Sequence, residues 1–351
     1  MKCLNLGAGE KIKKSTENEE WINLDIRKLE GIDIICDLSK EKIPLEDNSI
    51  DYILANDILE HFTPKELVEI LSECNRILKE GGKIEIKTPD LEKIILAYPN
   101  VIDSYELDRK IFGERDYPQN QHKIGFTKES LMFYLSICGF KILNIKPGTL
   151  ADWSNMICYA EKPNLDRWVK LQIESYSEIK RSKDILTTPR AKIAIDLIKK
   201  YNPQKILDIG CQDGWLEREL RKENYTNPIV GLDLPEVIKN YDYSDIQNFK
   251  VIGKNIEEGI PKEQKYDCIC CFEILEHLIH PYKILKQIRE IIEENGILLI
   301  TTPNGKEGMK HTTHFNWYDA RRMQILLKLT GFRLDEIYPI PEILFAVARP
   351  C

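Results

Sequence analysis

Four histidines stand where a side chain that titrates near neutral pH could take up a proton. His61 and His277 each follow a glutamate, in Ile58-Leu59-Glu60-His61 and Ile274-Leu275-Glu276-His277. His122 and His314 each open a run that leads into a helical pattern, His122-Lys123-Ile124-Gly125-Phe126-Thr127 and His314-Phe315-Asn316-Trp317-Tyr318-Asp319. Each is a candidate general base. Each could equally cap or pack the turn it occupies. His311 lies near His314, but no further ligands are spaced to join them around zinc, and no metal is expected.

Glycines and carboxylates suggest a ligand. Gly7 and Gly9 follow the apolar run Leu4-Asn5-Leu6, and Gly210 and Gly214 follow Leu207-Asp208-Ile209. A strand ending in such a turn brings backbone N–H groups close to a ligand at the carboxyl edge of a sheet. Asp25 closes the next apolar run of the first half, and Asp233 that of the second. A carboxylate there accepts hydrogen bonds from ribose hydroxyls; its simpler use is to cap a helix. The third glycine of the dinucleotide fingerprint is missing, and no Gly-Lys-Ser/Thr follows either turn. The cofactor these residues suit is a nucleoside with little or no phosphate.

The same landmarks occur twice in the same order. Lys87-Thr88-Pro89-Asp90 returns as Thr301-Thr302-Pro303-Asn304, and Cys138-Gly139-Phe140 as Thr330-Gly331-Phe332. The chain is a duplication with a unit of one domain. To position these residues, short apolar runs alternate with helical patterns, which predicts parallel sheets with helices on their faces. In the second half strands are expected over 205–209, 228–232, 266–272 and 297–301, with helices over 215–223 and 282–293. In the first half strands are expected over 2–6, 50–55 and 83–87, and a helix over 65–78. Gly81-Gly82 and Asn295-Gly296 read as helix stops. Two further helical patterns, 165–180 and 189–200, precede the second half, while 11–20 is only a short polar stretch. Lys162-Pro163-Asn164 breaks the pattern, giving domains 1–160 and 161–351.

The 351 residues are 42% hydrophobic and 30% charged, with a net charge of −7. That is ordinary globular composition without the basic footprint of a duplex-binding protein, so nucleic acid is not the expected partner. No signal peptide or membrane-length apolar run is present, and a cytoplasmic protein is expected. Nine of the ten cysteines lie in or beside apolar runs, as buried thiols of a reducing compartment do.

On these motifs both halves resemble class I S-adenosylmethionine-dependent methyltransferases. The first half is similar to small methyltransferases associated with cell-surface glycan synthesis, through Leu4-Asn5-Leu6-Gly7, Trp21-Ile22-Asn23-Leu24-Asp25 and Leu59-Glu60-His61-Phe62. The second resembles the family that includes ubiquinone-pathway O-methyltransferases. The resemblance implies two tandem Rossmann-like, doubly wound α/β domains, each a mostly parallel seven-stranded sheet flanked by helices. It implies S-adenosylmethionine as cofactor, with Asp208, Gly210 and Gly214 at its methionine end and Asp233 on the ribose. Asn255 falls at the adenine edge, where the family usually has aspartate, and Glu273 falls beside the methionine moiety. Asn5, Gly7, Gly9, Asp25, Asp37 and Asp57 take the matching places in the first half, Asn5 replacing the usual acid. His122 and His314 fall where the family places acceptor-side loops, and His314 is the first choice of base.

The expectation is methyl transfer to an oxygen or nitrogen of a small-molecule, glycan or lipid-linked acceptor, mainly by the second half. The alternatives are an RNA-modifying enzyme, a cofactor-binding sensor, or one active domain beside a binding or scaffolding module.

Overall fold

The computed structural model describes residues 1–98, 100–149, 151–178, 188–305 and 311–351. The chain divides into two units, Met1–Leu165 and Asp166–Cys351. In the first, the strands are β1 (Lys2–Leu6), β2 (Glu20–Asp25), β3 (Ile34–Ile35), β4 (Ile50–Asn56), β5 (Leu78–Pro89), β6 (Lys141–Pro147) and β7 (Asn155–Glu161). Its helices are α1 (Pro64–Ile77), α2 (Leu91–Ala97), α3 (Ser104–Phe112) and α4 (Lys128–Ile137). In the second unit α5 (Leu165–Glu178) and α6 (Pro189–Tyr201) come first. They lead into β8 (Ile206–Ile209), α7 (Trp215–Lys222), β9 (Ile229–Asp233), α8 (Pro235–Ile238), β10 (Phe249–Gly253) and β11 (Tyr266–Phe272). The unit closes with α9 (Pro281–Ile291), β12 (Ile292–Pro303), α10 (Ala320–Leu329), β13 (Phe332–Ile340) and β14 (Ile343–Pro350).

The two sheets have one strand order, β3-β2-β1-β4-β5-β7-β6 and β10-β9-β8-β11-β12-β14-β13. Six strands of each run the same way, and β7 and β14 insert antiparallel between β5 and β6 and between β12 and β13. Central strands covered on both faces must be apolar throughout. β11 shows this: Cys268, Ile269, Cys270 and Cys271 are all fully buried. All nine cysteines within the apolar runs are free buried thiols.

The order of each sheet reverses between β1 and β4, and between β8 and β11. Open α/β sheets bind ligands at the carboxyl ends of the strands flanking such a reversal. The helices that follow fix those ends. Thr63 starts α1 with a capping box: its side chain accepts from the Glu66 N–H, and the Glu66 carboxylate accepts from the Thr63 N–H at 2.7 Å.

Two boundaries differ from the sequence expectation. Gly81-Gly82 and Asn295-Gly296 do not stop helices. α1 and α9 end earlier, at Ile77 and Ile291, and the glycines lie inside β5 and β12. Ile50 pairs with Leu78 and Tyr266 with Ile292 before each ladder shifts register. The glycines carry the chain through that irregularity, Gly81 with a φ of 73°. The first entrance helix runs to Glu178; the last two residues expected in it fall outside the described residues.

Candidate cofactor site and paired histidine clusters

In the second unit, β8 delivers Asp208 and Ile209 into the turn Gly210–Gly214. Gly210 has a φ of 83°, and a Cβ there would lie 2.3 Å from Cδ1 of Ile274, so only glycine fits. The turn is tied to the end of β9. Asp233 accepts the Gln212 N–H at 2.9 Å through Oδ2 and the Leu234 N–H at 2.7 Å through Oδ1. A carboxylate has about four acceptor positions, so this tie is compatible with hydroxyl donors as well. Beside it opens a cavity walled by Gly210, Leu232, Asp233, Asn255, Ile256 and His277. Asn255 also caps the next turn, accepting the Glu257 N–H at 3.0 Å.

α5 roofs this cavity. Trp168 and Gln172, one turn apart, both donate to the His277 carbonyl, at 2.8 and 2.7 Å. From α6, Arg190 reaches Glu273 at 3.4 Å. Glu273 holds a φ of 54° at the exit of β11, and Asp57 a φ of 53° at the exit of β4. Left-handed backbone on a non-glycine residue is costly and concentrates at functional sites.

Asp208 is 3% exposed and Glu217, in the first turn of α7, is fully buried. Burial pushes the Asp208 carboxyl up to about 7 and raises Glu217 well above the usual carboxylate range. Neither Glu217 carboxylate oxygen has a hydrogen-bond partner among the described residues, and the nearby Asp208 carboxylate adds repulsion to the cost of its burial.

The matching place in the first unit is filled by the chain itself. Asn5 donates to the Lys11 carbonyl at 2.9 Å and to Asn23 Oδ1 at 3.0 Å. Asn23 in turn accepts the Lys13 N–H and donates to the Lys13 carbonyl. These bonds hold the polar stretch after Gly9 where the second unit has α7. Asp25 accepts the Gly9 N–H at 2.7 Å, but also the Arg27 N–H and Nε at 2.9 and 3.2 Å. A Cβ on Gly9 would lie 3.1 Å from the Arg27 guanidinium. Asp57 pairs with Lys11 and Lys87 at 3.3 and 3.1 Å. Asp37 is engaged by Ser39 and Lys40 in a local turn.

The four candidate histidines come together in pairs. The rings of His277 and His314 lie 4.7 Å apart and those of His61 and His122 5.0 Å apart, centroid to centroid. The peptide carbonyl of Glu276 accepts two N–H groups, from Phe315 and Asn316, at 2.7 and 3.0 Å. The Glu60 carbonyl does the same with Lys123 and Ile124, at 2.8 and 3.3 Å. Burial drives His277 down to about 4, with His314 adding repulsion, and lowers His61 and His122. Burial also raises Glu60 to about 8 and Glu276 well above its ordinary range. In each unit the glutamate and two histidines bring ligand atoms within 4.8 Å of one another. Spacing alone offers His311 and His314 no third ligand for zinc; folding brings Glu276 and His277 to His314. No sequence motif marks Glu217, Arg190, Trp168 or Gln172. Trp168 and Gln172 share a helix face, which was the one available signal.

Protein-family comparison assigns residues 189–337 to a family described as "Methyltransferase domain", and residues 12–86 to another of the same description. The ubiquinone biosynthesis O-methyltransferase of Coxiella burnetii is 31% identical over 103 residues, 28% of this chain and 43% of that protein. The malonyl-[acyl-carrier protein] O-methyltransferase of Halalkalibacterium halodurans is 32% identical over 109 residues, 29% of this chain and 40% of that protein. The match thus spans less than half the length of these curated relatives. Among solved structures, the DhpI–SAH complex gives a TM-score of 0.44 at 13% identity, over 53% of this chain and 98% of that one. Each of the two sheets, which share one strand order, thus carries a match to a family described as "Methyltransferase domain", and the chain is two methyltransferase domains in tandem.

Proposed function

We propose that the second unit binds S-adenosylmethionine in the cavity beside Asp233 and transfers its methyl group to an oxygen of a small-molecule, glycan or lipid-linked acceptor. The observation that carries this reading is the placement of the cavity: it opens at the carboxyl ends of the central strands, with Asp233 and His277 both in its wall. The donor set fits a nucleoside: a carboxylate for ribose hydroxyls, Leu232 and Ile256 as apolar walls, and Asn255 near the base.

When bound, the cofactor supplies an electrophilic methyl group. The chain's part is to hold an acceptor oxygen in line and keep water away, which supplies most of the acceleration in such reactions. α5, anchored on the His277 carbonyl, lines the cavity with Trp168 and Gln172. When no metal ion is bound, His314, whose ring lies 4.7 Å from that of His277, is the base of choice.

A second reading concerns the first unit alone. Arg27 and Lys11 reach Asp25 and Asp57, the positions a cofactor would use. This favours a binding or scaffolding role for that unit. Calorimetry of the full chain with S-adenosylhomocysteine tests both readings. One site per chain is expected; no binding refutes the first reading, and two equal sites refute the second.

A further inference from the structure

The geometry points to a divalent transition-metal ion held by Glu276, His277 and His314, and to a second ion held alike by Glu60, His61 and His122. Four of the chain's six histidines stand in these two clusters. The same three residue types, from the same turn and the same following loop, meet in both units.

Three features mark a ligand set. The first is the tautomer. Nδ1 of His277 faces the Thr313 carbonyl at 2.9 Å, and Nδ1 of His61 faces the Gln121 carbonyl at 3.2 Å. A ring nitrogen facing a carbonyl carries the proton, so the neutral ring has its lone pair on Nε2. Metal-bound histidines are commonly oriented in this way. The second feature is the carboxylate. Glu276 is 1% exposed, stands beside Thr302, and neither of its carboxylate oxygens has a hydrogen-bond partner among the described residues. Glu60 is 2% exposed and accepts from Thr88 at 3.2 Å. A buried carboxylate short of donors is costly until a cation or a proton meets it. The third feature is rigidity. The doubled backbone clasp onto the glutamate carbonyl fixes the loop bearing the second histidine against the turn bearing the other two ligands. The set is therefore assembled before an ion arrives.

Two imidazoles and a carboxylate suit Mn²⁺, Fe²⁺, Co²⁺, Ni²⁺ or Zn²⁺ rather than the all-oxygen cations, and leave coordination positions open. His277 also lines the cofactor cavity. An acceptor hydroxyl bound at an open position there would be made more acidic. That catalytic use rests on the methyl-transfer reading; binding of the ion does not.

The test uses the full chain, stripped of metal, titrated with Co²⁺ by absorption and with Zn²⁺ by calorimetry, with bound metal counted by elemental analysis. One ion per repeat is expected. His314→Asn and Glu276→Gln should each weaken the second site by about 10- to 100-fold or more, and His122→Asn the first. Circular dichroism checks each variant's fold. If a variant does not fold, the wild-type chain decides: bound Co²⁺ should shift the ring-proton resonances of His61, His122, His277 and His314. Unshifted rings, or an affinity untouched by His314→Asn in a folded chain, overturn the proposal. Calorimetry with S-adenosylhomocysteine on the same sample separates the two readings. A chain that takes the nucleoside but no Co²⁺ refutes the metal site alone. One that takes Co²⁺ but no nucleoside refutes methyl transfer alone.

Discussion

A Cβ on Gly210 would lie 2.3 Å from Cδ1 of Ile274, and the first repeat copies the contact, with 2.6 Å between a Cβ on Gly7 and Cδ1 of Ile58. The turn and the Ile-Leu-Glu-His segment are thus packed as one piece. Gly210→Ala would combine a left-handed φ, costing about 1–2 kcal/mol, with overpacking of about 1–3 kcal/mol. A lower melting temperature and weaker nucleoside binding are expected. Adding Ile274→Ala should recover part of the cofactor affinity. A Gly210→Ala chain with native stability and affinity would show that the contact is not tight.

Asp233 holds the glycine turn and faces the cavity. Asp233→Asn keeps the shape and loses the charge, and hydrogen bonds to charged groups contribute about 1.5–3 kcal/mol. Affinity for S-adenosylhomocysteine should therefore fall about 10- to 100-fold. Asp25→Asn, in the repeat where Arg27 already occupies the carboxylate, should leave affinity unchanged. Calorimetry on both variants decides; equal losses would place a working site in each repeat.

The Asp208–Glu217 pair predicts a pH dependence. An acid whose pKa is raised by folding binds its proton more tightly in the native state, so stability is whole below the unfolded pKa of about 4 and declines as pH rises toward 7. Glu217→Gln keeps the shape of the side chain and cannot ionise. Relative to wild type, it should gain stability by about 1–3 kcal/mol between about pH 5 and pH 8. Denaturant melts at the two pH values measure this. A parallel decline in both proteins would mean that Glu217 does not hold the proton.

Arg27 lies over Gly9 and against the Tyr117 ring, 5.3 Å from its centroid. Arg27→Ala should uncover the first repeat's turn. A second, weaker nucleoside site is then expected in calorimetry of the full chain carrying Asp233→Asn. If none emerges, the Asn5-tied loop alone closes the turn.

The fold was legible because its signals are local. Apolar runs such as Cys268 to Cys271 and the glycine turns repeat within each half, and their spacing carries the sheet order with it. The clusters were half legible. The four histidines stood out as residue types, but their pairing depends on loops returning to a distant turn, which periodicity does not record. Glu217 was missed because a charged residue in a helix's first turn ordinarily faces water; here α7 turns it into the protein. By resemblance Asn5 takes the place of the usual acid at the cofactor. The structure shows its amide spent on Lys11 and Asn23 instead, a use that only the fold of the 10–19 loop reveals.

That use of Asn5 divides the chain thermodynamically. The first repeat satisfies its own polar groups at the turn, so its melting should not answer to a nucleoside. The second leaves its turn open to a guest, and part of its folding free energy is left for that guest to supply. A duplicated chain can in this way carry one turn that is finished on folding and one that is finished only on occupancy.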